Sequence, residues 1–149
     1  MIDKKELFKS MLQNVSDDGL FPPPATKHLD LEFLEYIPEK SIKLKAPIKA
    51  DYYNPGAVVF GGYYGMFFDS AFGPFSFIEV QTYCTSLDMN ICFLKPLSVK
   101  DEYIIIEASM VSQSKSFLIM EGKAFKPDGT LVATATTRMM ILDSKRKAR

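Results

Sequence analysis

Residues 61–78 read GGYYGMFFDSAFGPFSFI. Wound as a helix, Tyr63, Tyr64, Met66, Phe67, Phe68, Ala71, Phe72 and Phe75 leave no polar face, and a helix apolar all round is a buried helix. The stretch is too short, and too interrupted by Gly73-Pro74, to be a good membrane span. The rest of the chain must therefore wrap it. A kink is expected at Pro74, which removes an N–H from the ladder. Two features are not packing material. Gly61 and Gly62 open the helix and leave bare N–H groups at the positive end of its dipole. Asp69 places one carboxylate among the aromatics, which is costly unless something there uses it.

Strands surround this helix in sequence. Upstream, residues 31–37 and 41–47 predict a hairpin joined by Pro38-Glu39-Lys40; Ile42, Leu44 and Ala46 form the apolar face of its second strand. Residues 50–60 carry the turn signal Asn54-Pro55-Gly56. Downstream, residues 86–94 alternate: Ser86, Asp88, Asn90 and Cys92 on one face, Leu87, Met89, Ile91 and Phe93 on the other. Residues 102–111, 117–125 and 131–142 complete the set, with turns at Gln113-Ser114-Lys115 and Pro127-Asp128-Gly129. One helix inserted into a run of antiparallel strands is an α+β layout. The helix is apolar on its far side as well. A second copy of the chain is the simplest cover, which predicts at least a homodimer.

The ends are simpler. Residues 3–15 read as a short amphipathic helix with Leu7, Phe8, Met11, Leu12 and Val15 on one face, stopped by Asp17-Asp18-Gly19. Phe21-Pro22-Pro23-Pro24 predicts an extended linker, so residues 1–28 form a helix and linker. Residues 143–149 are a charged, solvated tail. All 149 residues are read as one domain with one core.

Composition narrows the functional classes. Eighteen basic and eighteen acidic residues cancel, which argues against nucleic acid or a polybasic membrane contact. Cys84 and Cys92 lie eight residues apart on one extended segment, about 26 Å, too far to bridge within a chain. Free thiols and the lack of an apolar leader after Met1 point to the cytoplasm. With one histidine, His28, and no CxxC pair, a His/Cys metal site is not expected. No cofactor is implied.

Chemistry concentrates in Asn54, Gly61, Gly62, Asp69 and Ser86. Glycines let a substrate approach the backbone. An N–H at a helix start holds a developing oxyanion, and the Asn54 amide offers a second donor. Asp69 can activate water or attack directly, and Ser86 can orient that water. Gly61 and Asp69 stand about 12 Å apart along a helix, too far for one reaction centre. Two antiparallel helices across a two-fold axis would bring each Asp69 to the partner's Gly61. Each residue also has a plainer role: the glycines and Asn54 as turn material, Asp69 as a structural acid, Ser86 as an ordinary strand residue, Lys115 as a solvated turn lysine.

The residues resemble a known family. NPGAVVFGG (54–62), FDSAFG (68–73), SLDMNICFLKP (86–96) and DGTLVA (128–133) resemble, in order and spacing, the hotdog-fold acyl-CoA thioesterases of the phenylacetate-pathway (PaaI-like) type, which include the human thioesterase superfamily members. The resemblance runs from about residue 53 to 142. It implies a hotdog fold, an antiparallel sheet wrapped around a long central helix, assembled as a dimer or a dimer of dimers. It implies hydrolysis of an acyl- or aryl-CoA to free acid and CoA. Asn54 and the Gly61 N–H would polarise the thioester carbonyl, Asp69 would serve the partner's site as base or nucleophile, and Ser86 would position water. Lys115 falls where such proteins place a basic group near the CoA phosphates. Tyr63, Tyr64, Phe67 and Phe68 suggest an apolar acyl or aryl pocket, although the core can equally claim them. The family's His-Gly-Gly signature is Phe60-Gly61-Gly62 here. Phe60 is expected to hold the Asn54 loop by packing on Tyr63 or Tyr64. The alternative is a non-catalytic acyl-CoA or lipid-binding hotdog protein; a hotdog dehydratase or hydratase lacks a histidine to serve as base.

Overall fold

The computed structural model describes residues 1–13 and 23–142. Val15, the stop at Asp17-Asp18-Gly19, Phe21-Pro22 and the charged tail lie outside the described residues.

The chain runs α1 (Lys4–Leu12), β1 (Glu32–Ile37), β2 (Ser41–Pro47), α2 (Gly61–Val80), β3 (Cys84–Phe93), β4 (Tyr103–Gln113), β5 (Phe117–Phe125) and β6 (Leu131–Ile141). The six strands form one antiparallel sheet in the order β1-β2-β4-β5-β6-β3. The sheet curls around α2, whose apolar residues form the middle of the core. Period-2 alternation supplies the other half: Ile42, Leu44 and Ala46 of β2 are all fully buried, as are Ile104, Ile106 and Ala108 of β4.

The helix comes unusually close to β5. A Cβ on Gly122 would meet the Phe68 ring at 2.6 Å and the Phe72 ring at 3.0 Å. Gly122 therefore makes room for these two rings, which stack with centroids 6.1 Å apart.

The helix runs through Pro74 to Val80 and closes on Gln81, a left-handed cap. Two expectations about it need correction. It is not apolar on every side, because Gly61, Gly62 and Asp69 are exposed, with Gly65 and Gly73 half-buried between them. The acid it buries is Glu79, 5% exposed. Glu79 accepts hydrogen bonds from Tyr36 Oη (2.6 Å), Glu39 N (2.9 Å) and Lys4 Nζ (2.7 Å). A buried carboxylate held by three donors has its charge compensated.

That cluster also fixes α1. Asp3 caps it by accepting from Lys5 N and Glu6 N. Leu7, Phe8 and Met11 pack on the core, whereas Leu12 points outward, 45% exposed. The expected linker ends earlier than Pro24, since Pro24–Leu29 forms a 3-10 helix that buries Leu29.

One irregularity in β3 changes the face assignment. Ser86 pairs with Met139 and Asp88 with Arg138, so Leu87 is an extra residue in a β-bulge. Strict alternation puts Ser86 with Asp88, Asn90 and Cys92. The bulge instead turns Ser86 to the helix side with Met89, Ile91 and Phe93, and leaves Leu87 50% exposed. Cys84 and Cys92 are both free thiols.

Candidate functional site

Two clefts, one at each end of the sheet, carry four of the candidate residues, Gly61 and Tyr64 in one and Asp69 and Ser86 in the other; Asn54, Phe60, Gly62 and Lys115 line neither. The first lies at the start of α2. Asn54 closes the preceding loop: its Oδ1 accepts from Gly56 N (2.8 Å) and Val58 N (3.4 Å), and its carbonyl from Ala57 N (3.0 Å). This is the turn role that Asn-Pro-Gly suggested. It also fixes the amide plane, and Nδ2 has no acceptor among the described residues. Phe60 N donates to Tyr52 O (2.6 Å) and Tyr53 Oη accepts from Val99 N (2.6 Å), so the loop is tied on both sides.

Phe60 is the N-cap of α2 and offers no side-chain cap. The N–H groups of Gly61 and Gly62 consequently have no acceptor among the described residues. Gly61 lines a cavity of about 340 Å³ walled by Val59, Tyr64, Phe93 and Lys95, and Gly62 lies outside that lining. A Cβ on Gly61 would stand 3.4 Å from the Phe93 ring, so glycine keeps this approach open. Tyr64 is 3% exposed and meets Phe93 edge-on at 5.2 Å. Burial, with the Asp101 charge behind it, pushes its phenol up to about 12.

Phe60 does not pack as expected. Its ring is 56% exposed and makes no ring contact among the described residues. Tyr63 instead stacks on Tyr52 at 4.2 Å, and Tyr64 is taken by Phe93. Phe68 is fully buried against Phe72 and Gly122 and lines neither cleft; its position is that of a core residue.

The second cleft, about 1000 Å³, holds Asp69 and Ser86 on walls that include Met66, Gly73, Phe77 and Cys84. Ser86 Oγ donates to Asp69 Oδ1 at 3.5 Å, a long hydrogen bond. Asp69 reaches solvent, yet the apolar walls strip part of its hydration and raise its carboxyl above the ordinary value, while the Ser86 contact pulls the other way. Burial likewise pushes the neighbouring Cys84 thiol up, so it is held as a thiol. Lys115 is exposed in the β4–β5 turn. Ile141 N donates to Ser116 O, and Phe117, Met140 and Thr85 are paired in a row, so this turn lies at the Ser86 end of the sheet.

One chain thus groups Asp69 with Ser86, and Gly61 with Tyr64, in separate cavities. Sequence reading missed Phe93 as a wall of the Gly61 cavity, because period 2 shows which face a residue takes but not which cavity. It also missed the bulge, since nothing in Ser86-Leu87-Asp88 announces an extra residue until the strand is laid against β6.

The chain resembles solved structures along nearly its whole length. A putative phenylacetic acid degradation-related thioesterase from Ralstonia eutropha superposes with a TM-score of 0.78 at 23% identity, covering 91% of this chain and 99% of that one. A thioesterase from Haemophilus influenzae gives a TM-score of 0.79 at 16% identity, covering 93% and 94%. A Streptococcus mutans protein bound to acetyl CoA gives 0.71 at 16%, covering 76% and 89%. These likenesses establish the hotdog fold. No curated protein matches the chain in sequence. The thioesterase superfamily family model matches residues 56–133, more than half of the chain, and on that match the chain belongs to the thioesterase superfamily.

Proposed function

We propose that the protein hydrolyses an acyl- or aryl-CoA thioester, with each site assembled from two copies of the chain. The observation that carries this reading is the division of the groups. Gly61, whose N–H is a carbonyl-polarising donor, lines one cavity at the start of α2, beside the Asn54 loop, and the acid with its hydroxyl partner sits in another further along the same helix. Antiparallel packing of two α2 helices brings one copy's donors to the other copy's acid.

The outer stripe of α2 supports such packing, because Gly62 and Asp69, exposed, and Gly65 and Gly73, half-buried, leave little bulk between two backbones. β3 supports it too. It is an outer strand of ten residues with one side unpaired among the described residues, and an exposed edge of that length invites a second strand.

In the proposed step, the Asp69 carboxylate takes a proton from a water that Ser86 orients. The water oxygen attacks the thioester carbonyl carbon. The oxyanion formed is held by the partner copy's Gly61 N–H and Asn54 amide. Collapse breaks the C–S bond, and the departing thiolate takes the proton back from Asp69. The acid and free CoA are released. Phe93 and Tyr64 give the Gly61 cavity apolar walls suited to an acyl or aryl group, and Lys115, exposed at the Ser86 end, would meet phosphate. The acetyl CoA bound by the Streptococcus relative is consistent with a CoA thioester here.

Free-thiol release from a panel of acyl- and aryl-CoAs tests the proposal, run beside binding of a non-hydrolysable analogue. Turnover of at least one thioester is expected. Tight analogue binding without turnover of any thioester would replace it with the acyl-CoA-binding reading.

A further inference from the structure

We infer that Asp88 and Arg138 are positioning residues for this site: their pairing across β3 and β6 holds the bulge at Leu87 that turns Ser86 toward Asp69. The kinetic part of this inference rests on the hydrolysis proposed above; the structural part does not.

A bulge leaves one residue unpaired and breaks the ladder locally, so it needs something to fix its place. Here side chains do so. Asp88 Oδ1 accepts from the backbone N of Arg138 at 3.0 Å. Asp88 Oδ2 accepts from Arg138 Nε at 2.6 Å and also contacts the second guanidinium nitrogen. Thr137, 1% exposed, donates its hydroxyl to the Asp88 carbonyl at 2.8 Å. One carboxylate therefore grips both the main chain and the side chain of the residue opposite, on the rung next to the extra residue. A forked arginine–carboxylate contact has a fixed geometry that a point charge lacks.

Sliding the extra residue out of this place reverses Ser86. It would then share the outer face with Asp88 and Asn90, and Asp69 would lose its hydroxyl partner. The pair is itself on the outer face and exposed, where ion pairs add little to stability. Its removal should leave the fold standing while altering the aim of a side chain two residues away. Asp88 stays ionised throughout the working range, since the Arg138 hydrogen bonds hold its carboxyl below the ordinary value. The other ionisable groups lining the Asp69 cavity are Lys27, Asp30, Tyr83 and Cys84, and none of them hydrogen-bonds Asp69 among the described residues.

The test combines Arg138→Ala, Arg138→Lys, Ser86→Ala and the Ser86→Ala/Arg138→Ala double variant. The Asp69 carboxyl is titrated by NMR, and kcat and KM are measured on the best thioester. Ser86→Ala and Arg138→Ala should both move the Asp69 midpoint upward, with Arg138→Lys between Arg138→Ala and wild type. Arg138→Ala should lower kcat by roughly tenfold or more with KM little changed, the signature of a displaced group rather than weakened binding. The double variant should be no slower than Ser86→Ala alone, because both changes remove one contact. An Asp69 midpoint in Arg138→Ala that equals wild type overturns the inference, as does a loss that multiplies in the double variant. Should the wild type hydrolyse nothing, the titration decides by itself: a midpoint that follows Arg138 upholds the clamp while the thioesterase reading falls, and an unmoved one overturns the clamp.

Discussion

Ser86 Oγ lies 3.5 Å from Asp69 Oδ1, although strict alternation along β3 would place that hydroxyl on the opposite face of the sheet. The contact draws together two groups from different elements, seventeen residues apart, and depends on one extra residue in a strand. It joins an acid whose surroundings favour the protonated form to a donor that favours the ionised one. A general base has to be ionised to accept a proton, so in the proposed hydrolysis this balance would set the pH at which the site works.

The sign of the pH dependence follows. Hydrolysis should rise with pH through the Asp69 midpoint, and that midpoint lies above the ordinary carboxylate value because burial disfavours the charge. Ser86→Ala removes the opposing hydrogen bond and should move the acid limb of the pH–rate profile further up. Asp69→Asn should lower kcat by about 10²–10⁴-fold. A raised carboxyl contributes stability that is fully present below its unfolded value and is lost as pH rises through the folded one. Asp69→Asn should therefore melt higher than wild type at neutral pH, and this difference should close as pH falls below the carboxylate range. A lower melting temperature at neutral pH, or an Asn variant at wild-type rate, contradicts the assignment.

A shared site makes a prediction about mixtures. Asp69→Ala chains and Asn54→Ala chains should each be inactive. A heterodimer of the two regains one of its two sites, where both contributing residues are wild type. Activity should appear on subunit exchange and scale with the heterodimer fraction measured by native mass spectrometry. Exchange without recovered activity would mean that each site draws on one chain only.

How legible this was in the sequence depended on the physical origin of each signal. Period 2 and period 3.6 are local, so β5 was expected at 117–125 and is found at those residues, and Gly61 was rightly read as the start of α2. Asn54, Gly61 and Asp69 stood out as residue types whose chemistry is conspicuous in an apolar neighbourhood. Pairing properties were not local. The Leu87 bulge exists only in the register between β3 and β6, so Ser86 was put on the wrong face. Asp69 looked buried because its helix neighbours are aromatic, but 100° of rotation per residue sets it on the glycine stripe. Glu79, just beyond the apolar run, is the buried acid because Tyr36 and Lys4 come to it from distant segments.

Glu79 gives a stability prediction separate from the chemistry. Replacing it by Ala leaves the Tyr36 hydroxyl and the Glu39 N–H without their acceptor, removes the Lys4 contact that ties α1 to the end of α2, and leaves Lys4 only its longer 3.4 Å contact to the Glu39 carboxylate. A buried donor left unsatisfied costs about 1–3 kcal/mol. Glu79→Ala should lower the melting temperature and raise amide exchange in α1 before the sheet. Unchanged protection in α1 would show that its apolar contacts and the Ile2–Gln81 hydrogen bonds hold it without Glu79.

Gly122 should tolerate even alanine poorly. The added methyl would sit 2.6 Å from a Phe68 ring that is fully buried and stacked on Phe72, with no flexible tip to swing aside. Overpacking of this kind costs about 1–3 kcal/mol. Chemical denaturation of Gly122→Ala should show a lower midpoint with an unchanged slope. Hydrolysis per folded molecule should also fall, since α2 must move outward and it carries both Gly61 and Asp69. A wild-type midpoint would mean that the helix has slack against β5.

Phe60 is where the chain departs from the family signature it resembles. The residue is 56% exposed and has no ring partner among the described residues, which do not brace it against the Asn54 loop by aromatic packing. The loop is held by other means: Asn54 Oδ1 on Gly56 and Val58, the Tyr52–Phe60 main-chain bond, and the Tyr53 hydroxyl on Val99. Because these contacts use no side-chain atom of residue 60, Phe60→Ala should leave kcat within about threefold of wild type, far from the roughly hundredfold loss that a slip of about 1 Å would cause. Phe60→His should be similarly mild and should add no ionisation in the imidazole range to the pH–rate profile, since Asp69 remains the base. The measurement is a pair of pH–rate profiles, wild type beside Phe60→His. A gain of several orders of magnitude in the histidine variant, from a wild type near background, would show that the loop contacts are not enough and that this chain binds its thioester without cleaving it.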